Sequence, residues 1–273
     1  MFALSSVERL RRFVGQSAGA ANDRALLQYL GAVSRNIEQF CSREFQKSSR
    51  IEYLDSMQDT LEYSLKGFPV SSITAVAYDS TGLFTGSETP LTDSYIGARG
   101  RSVVIISPQT PTYRGLKISY TGGLAVHGTR NELALTGVSG TFVAGQFVQG
   151  SLSGAVGIIY STTAATPIII EVLAGTFEVG DVLTMQTSEG GADAGGVSAT
   201  VSAITEPALC ELYPDITLAC EAEVKYWVTH KDFLESTQSS TNSNFRQSGF
   251  VQVKSIIRPE TRSLINSYKA YYL

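Results

Sequence analysis

The residue types best suited to chemistry in this chain are two histidines and three cysteines, and they are widely separated. They are His127, His230, Cys41, Cys210 and Cys220. No two cysteines follow a Cys-x-x-Cys pattern, and neither histidine belongs to a cluster with metal-ligand spacing. The pattern predicts neither a zinc site nor a disulfide framework, and it is typical of a protein made in a reducing cytoplasm. Both histidines are expected to have structural or surface roles.

Motifs for phosphate binding and nucleophilic catalysis are absent from the sequence. It contains no Gly-x-Ser-x-Gly, no phosphate-binding loop and no Gly-x-Gly-x-x-Gly. A glycine-rich stretch over residues 190–196 includes Asp193 and follows Glu189, but it lacks the ladder of acids of a calcium loop. We therefore predict no catalytic residues, no metal and no cofactor, and we expect that the protein is not an enzyme.

Two arginines, Arg99 and Arg101, flank Gly100 at the tip of a predicted hairpin. One interpretation is electrostatic contact with passing DNA, and the other is a solvated loop. The chain has 21 basic and 25 acidic residues, a net charge of −4, which argues against a protein that coats nucleic acid. The two arginines are therefore only candidates for contact with DNA.

The composition is that of a folded protein. Of its 273 residues 43% are hydrophobic and 17% are charged, which is enough to bury a core in one large or two smaller domains. Charges interrupt the apolar pattern of residues 1–15, so this segment is not expected to be a signal peptide. No apolar run approaches the roughly 18 residues of a membrane span, so no membrane partner is predicted.

Charge and glycine content mark a separate module in the second half of the chain. No lysine or arginine occurs between Arg130 and Lys225, while residues 133–205 hold five acids. Within this stretch Gly140–Gly145 recurs thirty-five residues later as Gly175–Gly180. Each copy is predicted to be a strand, a glycine turn and a second strand. We expect residues 133–205 to form an inserted all-β module, a small barrel or sandwich with a two-fold internal repeat.

The elements outside this module are predicted to include long helices. Between Asn22 and Phe45 one apolar stripe runs at alternating spacings of four and three, which predicts a long amphipathic helix. Further helices are expected from Asp215 and from Pro259. The apolar stripe of the long helix between Asn22 and Phe45 consists of Leu26, Leu30, Val33, Ile37 and Phe40.

Short alternating segments lie between these helices. Residues 60–78 are predicted to form a hairpin about the turn Gly67-Phe68-Pro69, and strands are also expected near residues 103–106 and 116–120. The predicted fold class is α+β. It has a helical core, made of the long N-terminal helix and the C-terminal helices, together with β-hairpins and the inserted all-β module. The predicted domains are a discontinuous core, 1–132 with 206–273, and the module 133–205.

The order of several weak motifs resembles the head–tail connector, or adaptor, proteins of tailed double-stranded DNA bacteriophages. Outside the inserted module, the chain matches this family in a short helix, an acidic cap, a long helix ending in an aromatic residue, a Pro-Val turn, a strand ending in tyrosine and glycine, and two proline-led helices. The matching residues are Val7-Glu8-Arg9-Leu10-Arg11-Arg12-Phe13, Asp23-Arg24-Ala25-Leu26-Leu27, Ile37-Glu38-Gln39-Phe40, Pro69-Val70, Ile118-Ser119-Tyr120-Thr121-Gly122-Gly123, Pro214-Asp215, and Pro259 with Leu264 and Tyr268.

The resemblance implies a structural virion protein that forms a ring, dodecameric in the family, between the portal and the neck or tail. Such a ring extends the DNA channel, so the expected partners are further copies of the chain, the portal protein, a neck, stopper or tail protein, and, transiently, the genomic DNA. The implied location is the head–tail interface of the virion, after assembly in the host cytoplasm.

The C-terminal segment, residues 259–273, is the predicted portal arm, because it is unusually apolar for a chain end. In the resembling family this segment inserts between portal subunits. The predicted portal-interface residues are Leu264, Ile265, Tyr268, Tyr271, Tyr272 and Leu273. The alternative is that the helix packs back on its own domain.

A different class of function is a virion-associated receptor- or glycan-binding protein that uses the β-module. Sugar-binding platforms need exposed aromatic faces. The module has four aromatic residues, and two of them occupy the repeated core positions. They are Phe142, Phe147, Tyr160 and Phe177.

Overall fold

The computed structural model describes residues 2–16, 19–58, 60–86, 88–107, 109–161, 167–230 and 257–269, with only the backbone of Ala20, Ala21 and Arg99. The helices are α1 (Val7–Val14), α2 (Ala20–Cys41), α3 (Leu209–Leu212), α4 (Pro214–Thr229) and α5 (Pro259–Ile265). Within these described ranges no helix is both long and apolar enough to cross a membrane.

Strands make up most of the regular structure. The first seven are β1 (Ser48–Ser56), β2 (Glu62–Ser64), β3 (Val70–Tyr78), β4 (Thr89–Pro90), β5 (Ser94–Ile96), β6 (Ser102–Ile105) and β7 (Thr112–Gly122). The other six are β8 (Arg130–Ser139), β9 (Phe147–Gly150), β10 (Val156–Ser161), β11 (Ile168–Ala174), β12 (Val182–Gln186) and β13 (Asp193–Glu206).

The chain forms two compact units. The barrel unit comprises Met1–Phe40 with His127–Ser267, and the sheet unit comprises Cys41–Val126 with Tyr268–Leu273. These limits differ from those of the predicted domains, because the barrel unit contains the β-module together with helices on both sides of it in sequence. That residues 133–205 form an insertion able to fold alone stays a prediction.

The predicted helical core is wrong, because the fold is mostly β. Two clusters of buried apolar side chains consist mainly of strand residues, one inside a closed barrel and one between two sheets. The prediction gave weight to one long apolar stripe over many short alternating segments. Each short strand buries few side chains alone, but closing or stacking the strands combines these side chains into a core.

The amphipathic helix itself forms as the spacing predicts. Leu26, Leu30, Val33 and Ile37 are each at most 2% exposed. Asp23 lies in the first turn of α2, which begins at Ala20, and its carboxylate accepts hydrogen bonds from Nε and Nη2 of Arg11. This bidentate pair joins the end of α1 to the start of α2.

Arg9 connects three elements of the barrel unit. Its Nε donates to the buried carboxylate of Glu221 in α4 at 2.8 Å, and its Nη1 donates to the carbonyl of Val172 in β11 at 2.9 Å. The Ser5 hydroxyl donates to the same Glu221 oxygen at 2.7 Å. A guanidinium can hold several acceptors at fixed angles, so Arg9 fixes α1 against both α4 and the barrel.

The barrel closes in the order β10-β11-β8-β13-β12-β9, with neighbouring strands antiparallel. Its interior is lined by apolar side chains from all six strands and from the two repeated turns, including Phe142 and Phe177. A closed sheet leaves no free edge, which is a stable arrangement for short strands.

The internal repeat is visible in the hydrogen bonds of the two glycine turns. Gly145 N donates to the carbonyl of Ile159, whose N–H donates to the carbonyl of Gln146. Thirty-five residues on, Gly180 N donates to the carbonyl of Val201, whose N–H donates to the carbonyl of Asp181. Gly145 and Gly180 have φ of +86° and +97°, which glycine adopts at little cost. The two copies therefore fold alike and together close the barrel.

The sheet unit stacks two small sheets, with strand orders β1-β7-β3-β4 and β2-β6-β5. Their shared core includes Leu65, Val103, Leu116 and Ile118, each at most 1% exposed. Strand β7 lies between β1 and β3 and therefore supports both. Strand β1 pairs with β7 and lies at the end of the strand order of its sheet.

The predicted hairpin over residues 60–78 is wrong. Strand β2 pairs with β6 and β3 pairs with β7, so the two arms belong to different sheets. Alternation in sequence predicts which side chains are buried but does not identify the partner strand. The connection crosses between the sheets, where Gly67 N donates to the hydroxyl of Tyr120 at 2.9 Å and that hydroxyl donates to Glu52.

The Arg9 connection yields a stability prediction. Arg9→Leu leaves the carboxylate of Glu221, whose side chain is 6% exposed, without its cation. We expect the free energy of unfolding to fall by about 3 kcal/mol in urea titrations. The matched control is Arg12→Leu, because Arg12 and Glu189 form an exposed ion pair, and its cost should stay below about 1 kcal/mol. Equal losses for the two variants would contradict the role given to Arg9.

A second prediction concerns Asp181 in the repeated turn. Its buried carboxylate accepts from Leu152 N, Ser153 N, Ser153 Oγ and Glu178 N at 2.7–2.9 Å. Burial raises the pKa of the Asp181 carboxyl, but these hydrogen bonds outweigh burial and hold its pKa below the ordinary value. We expect Asp181→Asn to lower the free energy of unfolding by about 2 kcal/mol at neutral pH, because an amide supplies only one acceptor oxygen.

The sign of the pH dependence follows from the lowered pKa. The stabilisation by ionised Asp181 is complete above the ordinary aspartate pKa and is lost as the pH falls through the lower folded-state value. The gap in unfolding free energy between wild type and Asp181→Asn should therefore narrow on acidification. The exposed Asp193→Asn serves as control, and a gap that is constant down to pH 2 would refute the assignment.

Candidate interaction surfaces

The two histidines are engaged in local structure. His127 Nε2 lies 3.1 Å from a carboxylate oxygen of Glu132. His230 caps the end of α4, donates from Nδ1 to the carbonyl of Tyr226 at 2.9 Å, and stacks on the Tyr226 ring. Within the described residues, no group of three or more His, Cys, Asp or Glu side chains is placed to hold a metal ion.

The cysteines are not arranged as nucleophiles. Cys41 and Cys220 are buried and Cys210 is half-buried. Burial raises the pKa of both the Cys210 and the Cys220 thiol to about 12. These two thiols are therefore protonated at neutral pH, and the thiolate needed for attack or metal binding is not formed.

The glycine-rich stretch 190–196 turns the chain between β12 and β13. Gly191 N donates to the carbonyl of Ser188 at 3.0 Å, and Thr187 N donates to that of Ala192 at 3.3 Å. Glu189 forms an ion pair with Arg12 rather than facing other acids. The stretch is thus a structured turn.

Arg99 and Arg101, the predicted DNA-channel candidates, lie in the connection between β5 and β6. The side chain of Arg99 lies outside the described part of the structure. Arg101 is exposed, and its guanidinium carbon is 5.4 Å from the centre of the Phe68 ring. An exposed cation beside an aromatic ring can contact phosphate, but its role in a channel stays a prediction.

The aromatic residues of the β-module offer little surface to a sugar. Phe142 and Phe177 are 5% and 1% exposed within the barrel core, and Phe147 is half-buried. Tyr160 is 55% exposed, but the guanidinium of Arg130 lies 3.5 Å from its ring centre. Because sugars stack on free aromatic faces, this arrangement does not favour the glycan-binding interpretation.

The predicted portal-interface residues have different surroundings. Leu264 is 42% exposed on α5, whereas Ile265 is fully buried. Tyr268 packs edge-on against Phe45, with ring centres 6.4 Å apart. Tyr271, Tyr272 and Leu273 lie outside the described residues. The described part of the segment thus presents Leu264 at the surface and uses Ile265 internally.

A buried carboxylate holds α5 in place. Glu223 of α4 accepts hydrogen bonds from Thr261 Oγ1 at 2.8 Å, Arg258 Nε at 3.2 Å and Trp227 Nε1 at 3.3 Å. Its side chain is 1% exposed. Since a buried carboxylate is costly unless several donors reach it, the start of α5 is firmly docked on α4.

An exposed cluster on the sheet unit, which we term the aromatic face, was not predicted from sequence. It consists of Tyr53, Leu83, Phe84, Tyr113 and Arg114. The rings of Tyr53 and Phe84 lie 5.1 Å apart, and the guanidinium carbon of Arg114 lies 4.8 Å from the Tyr53 ring centre. Leu83 and Tyr113 are 72% and 78% exposed. Phe84 is half-buried, but a group of exposed apolar side chains such as Tyr53, Leu83 and Tyr113 is typical of a protein-binding surface.

Two residues of the aromatic face have strained backbones. Phe84 and Arg114 have φ of +51° and +50°, in the left-handed region that non-glycine residues rarely occupy. Carboxylates hold both: Phe84 N donates to Asp79 Oδ2 and Arg114 N donates to Asp55 Oδ1, each at 2.7 Å. Strain that the surrounding structure maintains often marks a functional surface.

A second exposed cluster, which we term the barrel tip, surrounds the buried Asp181. It consists of Leu152, Glu178, Val179 and Val182. Leu152 is 70% exposed, Val179 61% and Val182 40%. The backbone N–H groups of Leu152 and Glu178 both donate to the Asp181 carboxylate, which brings the two loops together.

Comparisons with known proteins give limited information. No protein-family model matches the chain, and no curated protein sequence matches it. Among solved structures it is similar to a chain described as "Neck of empty GTA particle computed with C6 symmetry". The similarity has 13% sequence identity and a TM-score of 0.46, and it covers 99% of this chain and 91% of that chain. At this identity and TM-score the likeness establishes neither a shared fold nor a shared function.

The different surroundings of Ile265 and Leu264 can be tested directly. Ile265→Ala should lower the free energy of unfolding by about 3 kcal/mol, because it opens a cavity against α4 and its neighbours. Leu264→Ala, one residue away and exposed, should change it by less than about 0.5 kcal/mol. Urea unfolding of both variants distinguishes them, and similar losses would show that α5 is not packed as described.

Proposed function

We propose that this protein is a structural virion protein of a tailed phage, forming an oligomeric adaptor ring between the portal and the neck or tail. The observation that carries the proposal is that the connector-like motifs lie on the element types that the resemblance implies. Pro214 opens α4 and Pro259 opens α5. The tyrosine and glycine of Ile118–Gly122 end the long strand β7, and Asp23 lies in the first turn of α2.

The surfaces of the monomer are consistent with a role in assembly. A subunit of a closed ring contacts its neighbours through two different surfaces, one on each side. The aromatic face and the barrel tip are two different surfaces, each with exposed apolar side chains and each held by a buried or backbone-bound carboxylate. Rigid surfaces of this kind lose little entropy on docking, which favours assembly over flexible recognition.

The proposed ring has specific partners and a specific location in the virion. The ring is dodecameric, binds the portal on one side and a neck, stopper or tail protein on the other, and extends the channel for double-stranded DNA. Arg101 is the described channel candidate, and Leu264 on α5 is the described contact to the portal. The protein assembles in the host cytoplasm and resides in the virion at the head–tail interface.

Negative-stain microscopy and light scattering test this proposal, using the purified full chain alone and mixed with the portal protein of the same phage. We expect closed rings, or rings that form on the portal, because an adaptor must match the symmetry of its neighbour. A chain that stays monomeric and does not co-sediment with portal would overturn the proposal.

Leu264→Asp tests the portal contact within the same experiment. An acid on this exposed position should abolish co-sedimentation with portal while the melting temperature stays unchanged, because the charge must be desolvated in an apolar contact. Ser263→Asp, on the neighbouring exposed position, is the control and should retain binding. If both variants bind portal like wild type, the portal contact lies elsewhere.

A further inference from the structure

We propose that the aromatic face of one copy docks on the barrel tip of the next copy, with Arg114 opposite Glu178. This inference rests on the ring proposed above and identifies the surfaces that build it. The occupant of the aromatic face is thus a second copy of this chain.

The first argument is the composition of the two surfaces. The aromatic face combines Tyr53, Phe84 and Tyr113 with Arg114, which are the residue types enriched at the centres of protein interfaces. The barrel tip offers aliphatic side chains, Leu152 and Val179, that stand well above 50% exposed. Contact between aromatic and aliphatic surfaces would remove both from water.

The two surfaces also carry complementary charges. Arg114 is exposed, and among the described residues its guanidinium has an aromatic ring, but no carboxylate, within contact distance. Glu178 is exposed, and none of the described cations forms an ion pair with it. Each charge therefore lies within an apolar surface that the other could complement. Attraction between such charges guides association and selects the partner.

The same charges discriminate between modes of self-association. Two aromatic faces in contact would place two copies of Arg114 in one interface, together with the two Asp55 carboxylates that accept from Arg114 N. Two barrel tips would bring two Glu178 side chains together in a module that has no lysine or arginine between Arg130 and Lys225. A two-fold contact of barrel tips offers no cation to Glu178, whereas the head-to-tail contact pairs Glu178 with Arg114. Head-to-tail contacts are those that generate rings.

The third argument is that both surfaces are preorganised. Asp181 accepts four hydrogen bonds from the loops of the barrel tip. Asp79 accepts from Phe84 N and from both the N–H and the hydroxyl of Thr81, which orders the loop of the aromatic face. Because these loops are already ordered before docking, they lose little further conformational entropy on binding, and the affinity is not reduced by that cost.

Charge reversal tests the pairing in the full chain. Arg114→Glu and Glu178→Arg should each weaken self-association by at least about tenfold, and the double variant should regain most of the wild-type association. Sedimentation velocity over a concentration series measures this, and melting temperatures show that each variant is folded. Matched controls are Arg24→Glu on the exposed side of α2 and Asp193→Arg in the barrel, which should associate like wild type.

The outcomes separate this inference from the proposed function. Wild-type rings with unchanged association of both single variants, or a double variant no better than either, would overturn the pairing and leave the ring intact. Loss of portal binding by Arg114→Glu with normal self-association would make the aromatic face a portal contact and overturn the pairing as well. A wild-type chain that remains monomeric would overturn both proposals.

Discussion

The barrel unit depends on the contact between one partly buried guanidinium and one buried carboxylate, those of Arg9 and Glu221. Removing these charges from water is costly, and the cost is offset only because Arg9 also reaches the carbonyl of Val172 and Glu221 also accepts from Ser5. Because the two charges need all these partners at the same time, α1, α4 and β11 are held in one relative arrangement. The barrel is therefore fastened to helices from both ends of the unit's sequence, rather than attached only through its two chain connections.

Carboxylates organise the remaining structure in the same way. Glu223 gathers donors from α4 and α5, Glu52 receives the hydroxyl of Tyr120, and Asp181 and Asp79 each order a loop through backbone N–H groups. In the barrel, Asp181 is satisfied by N–H and O–H donors alone, whereas the buried Glu171 accepts from Thr129 Oγ1 and from Arg130 Nε. Glu178 is exposed, and none of the described cations forms an ion pair with it, so the ordered barrel tip also carries a charge that can attract a cation.

The candidate surfaces were only partly visible from the sequence. Leu264 and Ile265 were predicted together as contact residues, yet a helix turns by about 100° per residue and places neighbours on different faces, so one is exposed and the other buried. Tyr53 lies on a strand and Phe84 lies in a loop distant from it in sequence. No local sequence pattern predicts that their rings are in contact. The aromatic face arises because Asp79 and Asp55 hold two residues in left-handed conformations, which depends on contacts distant in sequence.

The sequence by itself determined the features that depend on local periodicity: the amphipathic helix α2, the alternating strands, the glycine turns and the thirty-five-residue repeat. These follow from side-chain direction, which has a period of 3.6 in a helix and 2 in a strand. Only the tertiary structure decided which strands pair, that residues 60–78 divide between two sheets, and that the fold is mostly β, with six of the strands closed into a barrel. Strand pairing joins distant segments through backbone groups that are nearly the same in every residue, so the choice of partner is made by the packing of the whole unit.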